Sequence, residues 1–328
     1  MNLKKVLALL LVLVLSITMV VGCGQKPAAT EGGSTEEENG KIRIGVAIST
    51  FDDVWLTYML DGMKKYEASL GDSNIEISYV DSKNDPNVQL GQLENFIAQG
   101  FDAVVINPVD TEASGPLTDL AKREGMPLIS VNRPFQNQED ATSYVGSDSI
   151  IAGILQMEAL GELMGGQGNI VILQGESSHE AARMRTEGVK QVIAEKYPDI
   201  KVIAEQTGKW QRSLGLDIME NWIQAGLEIH GVASNNDEMA IGAIMALEQA
   251  GKLDEVFVAG IDASPDALEF MKDDKLDITV FQDANGQGGG AMEAAVKIAK
   301  GESVEDVVWI DYQLVLPDQV DEYIAKWQ

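Results

Sequence analysis

From Lys41 onward, short runs of β-branched and aliphatic residues alternate with longer amphipathic segments. In the longer segments apolar residues recur every three or four positions, as at Trp55, Met59 and Met63. Such alternation predicts an α/β protein with parallel sheets covered by helices on both faces. We predict strands at 42–48, 75–80, 103–107, 127–131, 143–146, 169–174, 201–207, 231–234, 256–261, 278–282 and 307–315. We predict helices at 55–70, 86–99, 111–123, 149–164, 180–196, 211–224, 237–249 and 287–300.

The first 23 residues have the pattern of an export signal. Lys4 and Lys5 precede an apolar run, Val6–Val21, which is short for a membrane-spanning helix. Gly22 and Cys23 follow directly, and this end of the run resembles a bacterial lipobox, in which cleavage leaves a lipidated cysteine. We therefore expect Cys23 to hold the protein to membrane lipid on the outer face of the cell membrane. A plain signal peptide with a chance cysteine is the alternative.

The segment 24–40 is rich in Gly, Ser, Thr and Glu and contains no aromatic or large aliphatic residue. It cannot bury enough apolar surface to offset the entropy of ordering, so we predict a flexible tether. Cys23 is the single cysteine of the chain, so no intramolecular disulfide can form.

The charge of the chain restricts its partners. It has 52 acidic and 24 basic side chains, a formal net charge of −28. Nucleic-acid binding requires a basic surface, so we expect no nucleic-acid partner, and an anionic lipid surface would repel the folded part. The length after residue 40 is typical of two domains, and we expect a monomer.

Polar side chains follow nearly every predicted strand, and ligands of open parallel sheets lie at those strand ends. Planar carboxylate, amide and guanidinium groups can bridge neighbouring hydroxyls, and indole rings can cover the C–H face of a sugar, so the set suits a neutral polyol. Taken singly, each could instead be a turn former or a helix N-cap. The predicted ligand-binding residues are Asp53, Trp55, Asn107, Asn132, Arg133, His179, Arg185, Trp210, Asn236, Asp262 and Gln282.

Several motifs resemble the type I periplasmic sugar-binding proteins of ABC importers, above all the ribose and galactose/glucose receptors. They are Ile44–Val46, Phe51–Trp55, Asp81–Asp85, Ile106–Asp110, Val145–Asp148, Asn235–Ala243, Gly260–Asp262 and Gln282–Asn285. The resemblance covers 41–316 and implies two doubly wound, Rossmann-like lobes joined by three crossovers, with sugar held between them. It implies an N-terminal lobe of 41–147 plus 283–311 and a C-terminal lobe of 148–282 plus 312–328.

The same resemblance places individual residues. Asp53, Trp55, Asn132, His179, Arg185, Trp210, Asn236 and Asp262 match sugar contacts of the galactose/glucose type, and Asn107, Arg133 and Gln282 match those of the ribose type. Ala181 stands where the galactose/glucose type has an aspartate, and Ser49 replaces an aromatic residue. The calcium loop of that type is missing from 165–169, so no metal is expected. The sugar, a hexose or a pentose, stays open.

The implied function is capture of a monosaccharide and its delivery to an ABC permease. A sensory receptor that serves a chemoreceptor or a histidine kinase is the alternative, and an exported α/β enzyme is a remote one. The chain lacks a G-x-S-x-G elbow, a Walker A loop and an HExxH pair, so we predict no enzyme. Gly286–Ala291 fits a relaxed G-x-G-x-x-A dinucleotide pattern, but a Gly-rich helix start explains it better, and we expect no cofactor.

Overall fold

A computed structural model describes residues 40–327 of the protein. The predicted signal, Cys23 and the tether up to residue 39 lie outside the described residues. The strands are β1 (Ile42–Ile48), β2 (Ile75–Asp81), β3 (Ala103–Ile106), β4 (Leu128–Val131), β5 (Ser143–Gly146), β6 (Gln167–Gln174), β7 (Asp199–Thr207), β8 (Gly231–Ser234), β9 (Phe257–Ala259), β10 (Thr279–Phe281), β11 (Val307–Trp309) and β12 (Gln313–Val315). The helices are α1 (Val54–Leu70), α2 (Pro86–Ala98), α3 (Gly115–Glu124), α4 (Ser149–Leu163), α5 (Glu180–Lys196), α6 (Arg212–Gln224), α7 (Asp237–Ala250), α8 (Pro265–Lys272), α9 (Ala284–Ala299) and α10 (Val320–Lys326).

A six-stranded parallel sheet has the order β2-β1-β3-β4-β5-β11. Its two faces are buried in different cores, because successive side chains of a strand point to opposite faces. In β1, Ile44 and Val46 pack with α1 and α9, whereas Ala47 packs with α2 and α3. The sheet is therefore covered by helices on both sides, as the strand–helix alternation predicts.

A second sheet has the order β7-β6-β8-β9, again with parallel pairing. Isolated bridges from Ala259 to Ile278 and from Asp262 to Phe281 continue it toward β10, which pairs antiparallel with β12. One of its faces is covered by α6 and α7, and the other by α4 and α5.

The chain passes between the two sheet systems three times, after β5, after β10 and after β11. The predicted class of two doubly wound lobes joined by three crossovers is thereby confirmed. No helix among residues 40–327 has both the length and the apolarity that crossing a bilayer would take.

One predicted strand is wrong. The run 307–315 forms two strands, since β11 pairs with β5 of the first sheet and β12 pairs with β10 of the second. Residues 310–312 carry the chain from one sheet to the other, so one largely apolar run contains a crossover.

Two helix starts also differ from prediction, and local hydrogen bonds explain both. The backbone N–H groups of Glu112 and Ala113 donate to the Asp110 carboxylate, which holds this stretch as a turn and delays α3 until Gly115. The Asp283 carboxylate accepts from the backbone N–H of Gly286, so α9 begins at Ala284 rather than at 287.

The Gly-rich segment Gly286–Ala291 lies inside α9, not in a loop between a strand and a helix as a dinucleotide site would require. Its glycines let α9 approach α1. A Cβ added at Gly288 would lie 2.3 Å from the carbonyl oxygen of Met59, and one added at Gly62 would lie 2.7 Å from the Cα of Asn285. Close helix packing accounts for the pattern.

Candidate functional site

Two adjoining cavities lie where the carboxyl ends of the strands meet. The inner chamber has a volume of about 40 Å³ and the outer cavity about 900 Å³. Asp53, Trp55, Arg133, Trp210 and Asn236 line both, so these residues separate the inner chamber from the outer cavity.

The inner chamber collects most of the predicted residues from both halves of the chain. Leu56 and Ala181 complete its lining, and neither of them was among the predicted ligand-binding residues. Nine predicted residues line it: Asp53, Trp55, Asn132, Arg133, Arg185, Trp210, Asn236, Asp262 and Gln282.

The two other predicted residues lie elsewhere. His179 lines the outer cavity. Asn107 lines neither cavity: its side chain accepts a hydrogen bond from the Ser49 hydroxyl (2.7 Å) and donates to the Asn132 side chain (3.3 Å). Asn107 is therefore placed to position Asn132, and its predicted contact with ligand stays a prediction.

On the first-sheet side, Asp53 precedes α1 and its Oδ1 accepts from the backbone N–H of Leu56 (3.0 Å). Arg133 is buried and donates to the Ser49 hydroxyl (3.2 Å) and the Pro108 carbonyl (3.0 Å). Burial lowers the pKa of Arg133 to about 10, and the nearby Asp53 charge opposes the change, so the guanidinium stays charged at neutral pH.

A buried charged cluster forms the second-sheet side. Arg185 donates through Nη2 to the Gln282 side chain (2.7 Å) and the Tyr312 hydroxyl (3.0 Å). Its Nη1 lies 3.7 Å from Oδ1 of Asp262, and both side chains are about 95% buried. Burial raises the pKa of Asp262, and the Arg185 charge opposes that rise.

Tyr312 is a member of this cluster that the sequence did not indicate. It follows β11 in the crossover to β12, and its ring is buried. Within an apolar run, a tyrosine is usually a core residue, and only the split of the 307–315 segment shows that its hydroxyl reaches Arg185.

Trp210 is held through its indole and through its backbone carbonyl. Its Nε1–H donates to Nδ1 of His179 (2.8 Å), and the two rings are nearly parallel, 11° apart. The Asn236 side chain donates to the Trp210 carbonyl (3.2 Å) while its Oδ1 caps α7 through the backbone N–H of Met239 (3.0 Å). Trp210 has a φ of +67°, and these contacts stabilise that conformation.

His179 joins the two halves of the chain. Its Nε2–H donates to the carbonyl of Val109 (3.0 Å), which lies beyond β3 of the first sheet. Because Nδ1 accepts from Trp210, the imidazole is neutral and carries its proton on Nε2. Burial first, and then the Arg133 charge, lowers the pKa of His179 to about 2.

The lining is chemically suited to a small, neutral, hydroxyl-rich molecule, but about 40 Å³ is room for only about three water molecules, so a polyol ring needs the chamber to widen. Two carboxylates, Asp53 and Asp262, balance two guanidinium groups, Arg133 and Arg185, so the inner chamber presents both acceptors and donors without excess charge. Trp55 and Trp210 add apolar surface. Within 40–327, no three Asp, Glu, His or Cys side chains converge as they would around a metal ion.

Comparisons with known proteins bear on this site. The profile of the periplasmic binding protein domain matches residues 44–303. A solute-binding protein of an ABC transporter from Bacillus halodurans, solved with bound myo-inositol, is 49% identical, with a TM-score of 0.85 over 88% of this chain and 98% of that one.

Two curated proteins are also similar. A protein of Rhizobium meliloti named for rhizopine binding is 42% identical over 86% of this chain and 93% of its own length. A xylitol-binding protein of Mycolicibacterium smegmatis is 35% identical over 89% of this chain and 82% of its own. Together with the fold, these matches show that the chain belongs to the periplasmic binding protein family, as a type I periplasmic sugar-binding protein.

Proposed function

We propose that this protein captures a small neutral polyol outside the cytoplasm and delivers it to an ABC permease. The observation that carries the proposal is the inner chamber, where planar polar groups and two indoles from both halves of the chain line one cavity. Each hydroxyl of a polyol needs both a donor and an acceptor, and the carboxylates of Asp53 and Asp262 with the guanidinium groups of Arg133 and Arg185 are of the types that supply them.

A cyclic polyol of the inositol type is the ligand class we favour. The relative that is 49% identical holds myo-inositol, and the names of two further relatives refer to rhizopine and xylitol. Ala181 supports this choice, since its methyl group adds no third carboxylate to the chamber. Aldohexoses and pentoses, the class expected from the sequence, are the competitors.

Binding is coupled to closure of two lobes, 41–147 plus 283–311 and 148–282 plus 312–328. Direct contacts join the lobes beside the outer cavity: both N–H and Oγ1–H of Thr111 donate to the Ser178 carbonyl, and Arg183 lies 3.4 Å from Glu112. Separation of the lobes would open the inner chamber to solvent, and closure around a polyol would expel water from it. The permease would then recognise the closed form.

Lipidation of Cys23 would anchor the protein to the outer face of the cell membrane. A tether of 24–40 has an r.m.s. reach of roughly 20–25 Å, from about 5–6 Å times the square root of its length. The folded part would therefore lie close to a permease in the same membrane while staying free to reorient.

Calorimetric titration of the purified protein tests the function. The panel is myo-inositol, scyllo-inositol, xylitol, D-ribose, D-glucose and D-galactose, and we expect the inositols to bind most tightly. Tightest binding of an aldose would overturn the choice of ligand class but keep the function. Absence of heat and of any thermal shift with all six would refute the function itself.

A sensory role has one specific observation in its favour. A structure described as the fructose-binding periplasmic domain of a hybrid two-component system has a TM-score of 0.80 and 26% identity. Uptake of labelled polyol by cells that lack this protein separates the roles, since loss of uptake indicates transport, whereas normal uptake with a lost transcriptional response indicates sensing.

A further inference from the structure

A chain of two hydrogen bonds runs from the main chain of one lobe to the indole of the other. The Val109 carbonyl accepts from Nε2–H of His179, and Nδ1 of His179 accepts from Nε1–H of Trp210. We propose that His179 is a positioning residue that couples lobe closure to the placement of Trp210 and works only as the neutral imidazole, so that acid weakens polyol binding. This inference rests on the proposed function.

Protonation of His179 would break its hydrogen bond with Trp210. An imidazolium has N–H groups on both nitrogens, and the Trp210 indole nitrogen can only donate. At the 2.8 Å that separates Nδ1 from Nε1, two donors would face each other. Either the indole or the imidazole would have to move, and Trp210 lines both cavities.

The surroundings of His179 oppose its protonation in the closed form. Its side chain is buried, and the positive charges of Arg133 from the first lobe and Arg183 from α5, which begins after His179, both disfavour the imidazolium. Further charged groups line the same cavity on every side, namely Asp52, Asp53, Asp110, Glu176, Lys209, Arg212 and Glu238. Burial dominates, and it lowers the pKa of His179 to about 2.

Opening of the lobes would remove this environment. Val109 belongs to the first lobe and His179 to the second, so separation takes away the carbonyl acceptor and admits water to the imidazole. An exposed histidine has a pKa of about 6.5. Closure below that pH must therefore release a proton, and the population of the closed form falls as the pH falls.

Calorimetry with myo-inositol between pH 8 and pH 5 tests the inference on the full chain. If the unliganded protein is open, a His179 pKa of 6.5 before closure and about 2 after it should raise the Kd about 30-fold between pH 8 and pH 5. His179→Gln keeps an acceptor and a donor but does not titrate. Apart from the change that other titrating groups cause, the Kd of this variant should therefore change by less than about threefold between pH 8 and pH 5. His230→Gln is the matched control, because His230 contacts Asn169 away from both cavities and should keep the wild-type profile.

A second measurement, on the protein without ligand, accounts for any closure that precedes binding. Where the lobes are already closed, the pH dependence appears in the unfolding equilibrium constant instead of the Kd, so the rises of the two quantities between pH 8 and pH 5, each taken relative to His179→Gln, should multiply to about 30-fold. If no polyol or aldose binds, the proposed function fails and the inference fails with it, whereas binding of myo-inositol with a product near one refutes the inference alone.

Discussion

Replacement of Arg185 by methionine should destabilise the unliganded protein in a pH-dependent way. Arg185 is buried, lies 3.7 Å from Asp262 and donates to Gln282 and Tyr312. Removal of one partner of a buried ion pair costs about 3–5 kcal/mol, because the other charge is left uncompensated. We expect Arg185→Met to lower the free energy of unfolding by that amount at pH 7.

In Arg185→Met, the loss of unfolding free energy from the unpaired charge cannot exceed the free energy of protonating Asp262, which changes with pH. Without Arg185, Asp262 can become neutral by taking up a proton. For a carboxyl group with an ordinary pKa of about 3.9, protonation costs about 4 kcal/mol at pH 7 and about 1.5 kcal/mol at pH 5. Because burial already raises the pKa of Asp262, loss of the guanidinium raises it further, and the penalty must grow as the pH rises. The deficit of Arg185→Met should therefore shrink by up to about 2.7 kcal/mol between pH 7 and pH 5.

Urea denaturation at the two pH values measures the deficit. The double variant Arg185→Met/Asp262→Asn should lose the pH-dependent part. Arg212→Met is the exposed control: Arg212 pairs with Glu238 and Asp266 at 34% side-chain exposure, and surface pairs contribute about 1 kcal/mol or less. A deficit of Arg185→Met that is equal at pH 7 and pH 5, or that Asp262→Asn fails to relieve, would refute the buried ion pair.

Three further predictions concern binding, packing and anchoring. In calorimetry, Trp210→Ala should weaken polyol binding by about 10- to 100-fold. Trp309→Ala is the control and should bind like the wild type, because the Trp309 indole is 56% exposed and lies outside both cavities. Equal losses in the two variants would refute the proposed binding site. In urea denaturation, Gly153→Ala should lower the free energy of unfolding by more than about 2 kcal/mol, because its Cβ would lie 2.0 Å from a carbonyl oxygen of α5. Gly91→Ala is the control, since its Cβ meets open space in α2, and it should raise the free energy of unfolding by up to about 1 kcal/mol. A Gly153→Ala variant as stable as the wild type would show that the two helices can move apart. Cys23→Ser should move the protein from the membrane fraction to the medium, and retention in the membrane fraction would refute the lipid anchor.

The sheet-and-helix architecture could be predicted because most elements have a pattern of their own, although the short helices α8 and α10 were not predicted. Helix α5 was predicted with both its ends, since apolar spacing and polar flanks agree there. The 307–315 run could not be divided in advance, because β-branched and other apolar residues occur in both of its halves and no glycine or proline marks the crossover between the two sheets. The pattern of apolar residues indicates that a segment forms a strand, but it does not indicate with which sheet that strand pairs.

The sequence could predict those site residues whose position depends only on where a strand ends. Asp53, Asp262 and Gln282 follow strands, and the topology of parallel sheets brings those ends together. Side-chain direction is a separate question. Asn107 follows β3 in the same way, yet Ser49 and Asn132 engage its amide and it lines neither cavity. The sequence does not encode this choice in any local pattern.

A crystal structure of the protein grown with myo-inositol would show whether the inner chamber is the polyol site. We expect one polyol ring between the residues of a widened inner chamber, in contact with Trp55 and Trp210, with hydroxyls within hydrogen-bond distance of the Asp53 and Asp262 carboxylates and the Arg185 guanidinium. Closed lobes around a chamber without polyol, or a polyol bound away from these residues, would refute the proposed site.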